Sequence, residues 1–225
     1  MKIPDASLEG DPAIVLADLD AHKGLERLLS VGERVRADRF RWRIHRDRYV
    51  AGRGLLRLLL ADFLDRNPIA IQITTNAHGK PMLSDGGVLR FNVAHSGSRA
   101  IYAFTCTGEI GVDIEQVRPL DPITLSRTCF SDGEQAQLVD VEVPKRLGAF
   151  FDGWVRKEAV VKADGRGLLL ELRSFTVTLN GAPRVAEPPD GGASDRWSLM
   201  EIDAGPDIRA ALAVRSQSGP QDGNA

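Results

Sequence analysis

The segment Ile110-Gly111-Val112-Asp113-Ile114-Glu115 alternates apolar residues with small or acidic ones. On a β-strand, Ile110, Val112 and Ile114 face a core while Asp113 and Glu115 share the opposite face, about 7 Å apart at twice the strand rise. Two like charges on one face need solvent or a cation, and an all-oxygen donor set favours Mg²⁺ or Mn²⁺ over zinc. Alone, the hexapeptide is equally an acidic strand edge. A third carboxylate changes the weighting. In the run Phe150 to Lys162, the residues Trp154, Glu158 and Lys162 fall at i, i+4 and i+8, one stripe of a helix with Phe151 near the same face. A carboxylate beside an apolar helix face suits a metal ligand or a base, and the lysine one turn later suits a phosphate. The plain alternative is a surface Glu–Lys pair worth about 0.2–0.5 kcal/mol.

Two further clusters could meet phosphate. Gly79-Lys80-Pro81 places a lysine on a rigid turn, a common arrangement with or without a ligand. Phe91-Asn92-Val93-Ala94-His95-Ser96-Gly97 ends a strand in small polar residues, where His95 either donates to a phosphate or is structural. No His/Cys cluster, Ser or Cys nucleophile signature or Gly-rich phosphate loop is present in the sequence.

These residues need elements to position them. Glu33 to Phe63 reads as one helix, or two with a break, in which Arg36, Arg39, Arg43 and Arg46 form one stripe if the helix is continuous. Strands are expected at Ile69 to Thr75, Val88 to Val93, Arg99 to Thr105 and Glu109 to Glu115, with a turn at Asn76 to Gly79. Ser131-Asp-Gly-Glu134 is a capping-box pattern that starts a helix, and Pro144 separates it from a second helix over Lys145 to Asp164. Strands over Ser174 to Leu179, Trp197 to Ile202 and Ile208 to Val214 follow. The class is α+β with antiparallel sheets, and strands and helices recur in loosely similar order on either side of Thr107.

Composition bounds the function. The 225 residues fit one compact body or two small lobes, and 43% hydrophobic with 27% charged residues excludes wholesale disorder. Arg27 to Arg57 holds ten arginines against Glu33, Asp38 and Asp47, a net +7 that leaves −9 elsewhere in a chain of 29 basic and 31 acidic residues. That stretch is either a solvated helix or an anion-binding face. Two cysteines, Cys106 and Cys129, exclude a disulfide scaffold and a four-cysteine zinc site. Met1 to Asp20 lacks a basic start and a long apolar run, and Leu55 to Leu64 is cut by Arg57 and Asp62. The expectation is a cytoplasmic protein with no membrane partner.

Order and spacing together are more specific than any one cluster. Gly79-Lys-Pro81, Phe91-Asn-x-x-His95-Ser96, Gly111-Val-Asp113-Ile-Glu115, Trp154-x-x-Lys157-Glu158-Ala159-x-x-Lys162 and Gly165-x-Gly167-Leu168 resemble the 4′-phosphopantetheinyl transferases. The resemblance runs from about Val31 to Val214 and is to the larger, single-chain pseudodimeric class, the surfactin-synthetase-activating type, in its Trp/Lys-Glu-Ala branch. Phe130-Ser131-x-x-Glu134 resembles a short motif of the same family. The resemblance implies two similar α/β lobes related by a pseudo-twofold, residues 1–107 and 108–215, and the polar composition of 216–225 predicts a disordered tail. Coenzyme A would lie between the lobes, with Mg²⁺ (or Mn²⁺) on Asp113, Glu115 and Glu158. Lys162 would meet the transferred phosphate, and Arg48, Lys80, Pro81, Asn92 and His95 the nucleotide end. Glu158 would activate the acceptor serine of an apo acyl or peptidyl carrier protein, directly or through a metal-bound water. Ala94 departs from a serine common in the family, and Glu33 from a basic residue near the adenosine; both bear on nucleotide affinity. A monomer without a nucleic-acid partner is expected. The rivals are a metal-dependent phosphodiesterase or nuclease, a nucleic-acid-binding module and a non-catalytic coenzyme A binder.

Overall fold

The computed structural model describes residues 12–216. The expected tail therefore falls outside the described residues except for Ser216, which ends a strand.

The first half contributes β1 (Ala13–Asp18), α1 (Val31–Ala37), α2 (Arg43–Leu64), β2 (Ile73–Thr75), β3 (Pro81–Leu83), β4 (Arg90–Ser96) and β5 (Arg99–Thr105). The second contributes β6 (Gly108–Gln116), α3 (Pro122–Cys129), α4 (Asp132–Asp140), α5 (Val143–Asp164), β7 (Thr176–Val177), β8 (Val185–Glu187), β9 (Trp197–Glu201) and β10 (Ile208–Ser216). Two antiparallel sheets have the orders β1-β5-β4 and β6-β10-β9, and two short hairpins are β2-β3 and β7-β8. In each half, the first long strand pairs with the last, and the last with the one before it. A 22-residue helix follows the first strand in both.

Strand alternation sets the layering. In β5, Ala100, Tyr102 and Phe104 meet Leu55, Leu56, Leu59 and Leu60 of α2. On the reverse face, Ile101 and Ala103 join Ile110, Val112 and Ile114 of β6 and Leu212 of β10 in a core between the sheets. The far face of the second sheet, Ala211 and Ala213, packs under Val155, Ala159, Val160 and Ala163 of α5. The order of layers is helix, sheet, sheet, helix. These apolar rows dominate folding, each fully buried Leu or Val contributing about 1.5–3 kcal/mol.

Several expectations change. The arginine run is two helices: α1 is closed at its start by a Ser30–Glu33 capping box, and the chain breaks before Arg43. Arg36 and Arg39 therefore share no continuous stripe with Arg43 and Arg46. The strand expected from Ile69 begins only at Ile73, because Asn67 caps a tight turn opened by Pro68. The strand expected at Val88 to Val93 begins at Arg90 and runs to Ser96, while β1, β3, α3 and β8 are additional. Pro144 is the second residue of α5 rather than a separator, since the amide that proline lacks is unpaired in any first helical turn.

Candidate active site

Asp113 and Glu115 stand on the face of β6 turned away from the core between the sheets, as the alternation requires. Gly111, on the same face, lies directly beneath α5: a Cβ there would sit 2.1 Å from the Ala159 carbonyl oxygen and 2.2 Å from the Ala163 amide. The glycine thus admits α5 close enough for Lys162 and Glu158 to reach the strand. Lys162 Nζ donates to Asp113 Oδ1 at 2.6 Å and to the Val112 carbonyl at 3.1 Å. Asp113 is 6% exposed, and its Oδ2 is buried with no hydrogen-bond partner.

The electrostatics follow from burial. Loss of hydration pushes the Asp113 carboxyl up to about 6; Lys162 opposes the shift, while the charges of Glu158 and Glu115 add to it. Glu158, half-buried, is raised for the same first reason, with Lys162 opposing and Glu115 adding. Two carboxyls with raised proton affinity, Asp113 with an orphaned buried oxygen and Glu158, beside the carboxylate of Glu115, fit a hard divalent cation as an all-oxygen donor set. Among the described residues, no group of three His, Cys, Asp or Glu side chains closes into ligating geometry. Lys162 instead holds Asp113, so the expected phosphate contact begins as an ion pair within the protein.

His95 and Arg48 approach this centre from the first half. His95 is exposed at the end of β4, and its proton affinity falls through lost hydration and the charges of Lys162 and Arg48, with Glu115 opposing. Arg48 grips Asp20 with Nε at 2.8 Å and Nη2 at 2.7 Å. Glu115 accepts from Ser96 Oγ at 2.9 Å and from Arg118 Nη1 at 3.2 Å. The fold thus brings Arg48, His95, Asp113, Glu115, Glu158 and Lys162 into one electrostatic neighbourhood.

Lys80 and Pro81 occupy an adjoining cleft of about 330 Å³, with Arg90, Glu109 and Arg215 in its walls. Gly79, at φ 86°, closes the β2–β3 turn, and Asn76 Oδ1 accepts the amides of His78 and Lys80. Lys80 Nζ reaches Glu109 Oε2 at 2.9 Å, and burial lowers its proton affinity. Asn92 is turned inward, its Oδ1 accepting the Val112 amide at 2.9 Å.

Three sequence readings acquire different roles. Glu33 is buried, receiving Arg53 Nε at 2.8 Å and Arg57 Nε at 2.7 Å, so it neutralises the arginine run from within instead of facing a nucleotide. Ala94 packs in the apolar core between the sheets. Lys157, fully buried, donates to both Glu134 oxygens and to the Phe175 carbonyl, all at 2.7 Å. Glu134 in turn accepts the amides of Ser131 and Val177 at 2.7 Å. The lysine before Glu158 therefore ties α5 to α4 and β7, and every donor and acceptor of the buried pair is engaged. Ser96 and Glu109 received no role from sequence. Their signal was alternation: Ser96 follows Asn92 by four on one strand, and Glu109 shares a face with Asp113.

Comparison with known proteins identifies the family. The family model described as the 4′-phosphopantetheinyl transferase superfamily matches residues 109–213, and that described as 4′-phosphopantetheinyl transferase, N-terminal, matches residues 20–107. The 4′-phosphopantetheinyl transferase HetI of Nostoc sp. is 34% identical over 195 residues, 84% of this chain and 80% of that one. The 4′-phosphopantetheinyl transferase Sfp of Bacillus subtilis is 31% identical over 176 residues, 74% of this chain and 77% of its own. The 4′-phosphopantetheinyl transferase AcpT of Salmonella typhimurium is 35% identical over 145 residues, covering 64% and 71%. With a buried carboxylate and lysine held between β6 and α5, and relatives of this identity over most of its length, the chain belongs to the 4′-phosphopantetheinyl transferase superfamily.

Proposed function

We propose that this protein transfers the 4′-phosphopantetheine group of coenzyme A to a serine of an apo acyl or peptidyl carrier protein. The observation that carries the reading is the Asp113–Lys162 pair with its orphaned Oδ2, flanked by the raised carboxyl of Glu158. The serine Oγ attacks the phosphorus that bears the pantetheine arm. A phosphate ester to serine forms, the bridging P–O bond of the pyrophosphate breaks, and adenosine 3′,5′-bisphosphate leaves. Glu158 takes up the serine proton, directly or through an intervening water, its raised proton affinity bringing it nearer the operating pH than a free carboxylate. Lys162 moves from Asp113 toward the transferred phosphate, where its charge counts most as the bond breaks.

Asp113, Glu115 and Glu158 would hold Mg²⁺ or Mn²⁺, which supplies charge neutralisation for the pyrophosphate oxygens when bound. Arg48, His95, Lys80 and Pro81 serve the nucleotide end. The two halves, 1–107 and 108–215, are read as lobes related by a pseudo-twofold, supported by the shared strand order and the two 22-residue helices. A monomer acting in the cytoplasm fits, and no helix among the described residues is long and apolar enough to cross a membrane. Much of the arginine run is consumed internally, by Glu33, Asp20, Glu26 and Asp38, which argues against a nucleic-acid face. The test is incubation with coenzyme A, Mg²⁺ and a purified apo carrier, read by intact mass. Gain of one phosphopantetheine per carrier supports the reading, and an unmodified carrier across a panel of acyl and peptidyl carriers overturns it.

A further inference from the structure

β6 is an edge strand: β10 covers one side, and on the other it runs along β4, which belongs to the other sheet. An edge strand presents unpaired amides, and a buried amide without an acceptor costs about 1–3 kcal/mol. Here side chains, not a backbone ladder, fill that role. Asn92 Oδ1 accepts the Val112 amide at 2.9 Å, and Ser96 Oγ accepts the Gln116 amide at 3.1 Å. Both acceptors lie on β4, four residues apart, and both amides lie on β6, also four apart, so the strands run the same way in fixed register. Ala94 packs between them against the apolar face of β6. Asp113 and Glu115 are the acidic residues between the two held amides.

The same bonds reach the reacting groups. Ser96 Oγ donates to Glu115 Oε2 at 2.9 Å, engaging one oxygen of that carboxylate. Val112, gripped at its amide by Asn92, offers the carbonyl of its next peptide to Lys162 Nζ at 3.1 Å, and the same ammonium holds Asp113. We infer that Asn92 and Ser96 are positioning residues: a two-point clamp from the first half of the chain that sets the register of the carboxylate strand and, through it, of Lys162. The inference rests on the transferase reading for its consequence in turnover, but the clamp itself is a property of the free protein.

The test combines two readouts on wild type, Asn92→Ala, Ser96→Ala and Ser96→Thr. The first is amide hydrogen exchange by NMR in protein free of coenzyme A and metal. Asn92→Ala should speed exchange at Val112, and Ser96→Ala at Gln116, while Ser96→Thr, which keeps the hydroxyl, should behave as wild type. The second is steady-state transfer to an apo carrier. A misplaced carboxylate strand should lower kcat about tenfold or more, since displacements near 1 Å cost up to about 10²-fold. KM for coenzyme A should stay within about twofold, as no nucleotide contact is lost. Unchanged exchange at both amides overturns the clamp, as does a raised KM with kcat preserved, which would make Asn92 a nucleotide contact. If Asn92→Ala does not fold, the Ser96 pair decides, because threonine must rescue what alanine loses. If wild type modifies no carrier, the transferase reading fails and the exchange data still decide the clamp.

Discussion

The two halves use the same strand order under a helix of the same length, yet the faces beneath those helices differ in kind. Under α2 the buried face of β1 and β5 is apolar, with Ala17, Ala100, Tyr102 and Phe104 packed on four leucines. Under α5 the corresponding face of β6 carries Glu109, Gly111, Asp113 and Glu115. Both helices pack on an apolar face, of β5 under α2 and of β10 under α5, but α5 also covers a desolvated carboxylate beside a lysine on β6, which gives up some of that stability. The smaller residues of α5, Ala159 and Ala163, and the glycine below them allow the close approach that the leucines of α2 prevent. Stability and chemistry should then be separable by mutation, half by half.

The largest effect is expected at the chemical centre. Glu158→Gln keeps shape but loses charge and basicity, and Lys162→Ala removes the charge proposed to act on the transferred phosphate. Each should lower single-turnover transfer by about 10²–10³-fold with coenzyme A saturating. Their double mutant should be less than additive, because both serve one centre. A single mutant retaining more than about a third of the wild-type rate would end the catalytic assignment of its residue.

Next come two packing changes with opposite signatures. Leu60→Ala, at a fully buried site under α2, should destabilise by about 2–5 kcal/mol in denaturant titration. At temperatures where it stays folded, its pH–rate profile should match wild type. Gly111→Ala drives a methyl into the α5 backbone, which cannot yield as a side-chain tip would. It should lose transfer even under conditions where circular dichroism shows a folded protein. If Gly111→Ala kept full activity, the close approach of α5 would not be what positions Lys162.

How much of this contrast the chain discloses on inspection depends on the range of the interaction. β5 and β6 are legible to within a residue or so from alternation, and α5 from its apolar spacing, because these signals lie within one turn or pleat. The carboxylates, Glu158 and Lys162 were legible for the same reason. The roles of Glu33, Asn92 and Lys157 were not: their partners lie 18 to 24 residues away. A buried Lys157 looks like any helix-surface lysine until Glu134 and Phe175 are brought against it. β1 and α3 are short, and β1 becomes a strand only by pairing with β5, 81 to 91 residues later.

A smaller effect, in pH, tests the cost of the Asp113 site. Its folded proton affinity, about 6, lies above the ordinary 3.8, so the native state binds the proton more tightly than the unfolded chain. Stability therefore falls as pH rises from about 4 through 6, and the penalty above that window is roughly 2–3 kcal/mol. Asp113→Asn should abolish transfer yet be no less stable than wild type at pH 7.5 without metal, with its relative advantage shrinking toward pH 4. Lys162 tolerates the lost partner because its side chain is 27% exposed. In wild type, transfer should decline as pH falls through about 6, when Asp113 protonates. A melting series over pH 4–8 with wild type and variant side by side checks the sign.

The smallest expected effect concerns the nucleotide end. On the proposed assignment Arg48 and His95 bind the nucleotide end of coenzyme A and not the transferred phosphate, so Arg48→Ala and His95→Ala should raise KM for coenzyme A more than they lower kcat. Arg48 must first release Asp20, so part of its affinity for phosphate is spent on breaking a two-point ion pair. Asp20→Asn should accordingly tighten coenzyme A binding while leaving kcat in place. His95 is held below the usual histidine range by lost hydration and by Lys162 and Arg48, so it is neutral in the free protein near pH 7. A phosphate arriving between these cations reverses the balance and favours the imidazolium. Binding of coenzyme A should therefore take up a proton near pH 7, visible in calorimetry as a heat that depends on buffer ionisation enthalpy, and His95→Gln should remove that dependence. Dephospho-coenzyme A is the control: if it takes up the same proton as coenzyme A, His95 does not sense the 3′-phosphate.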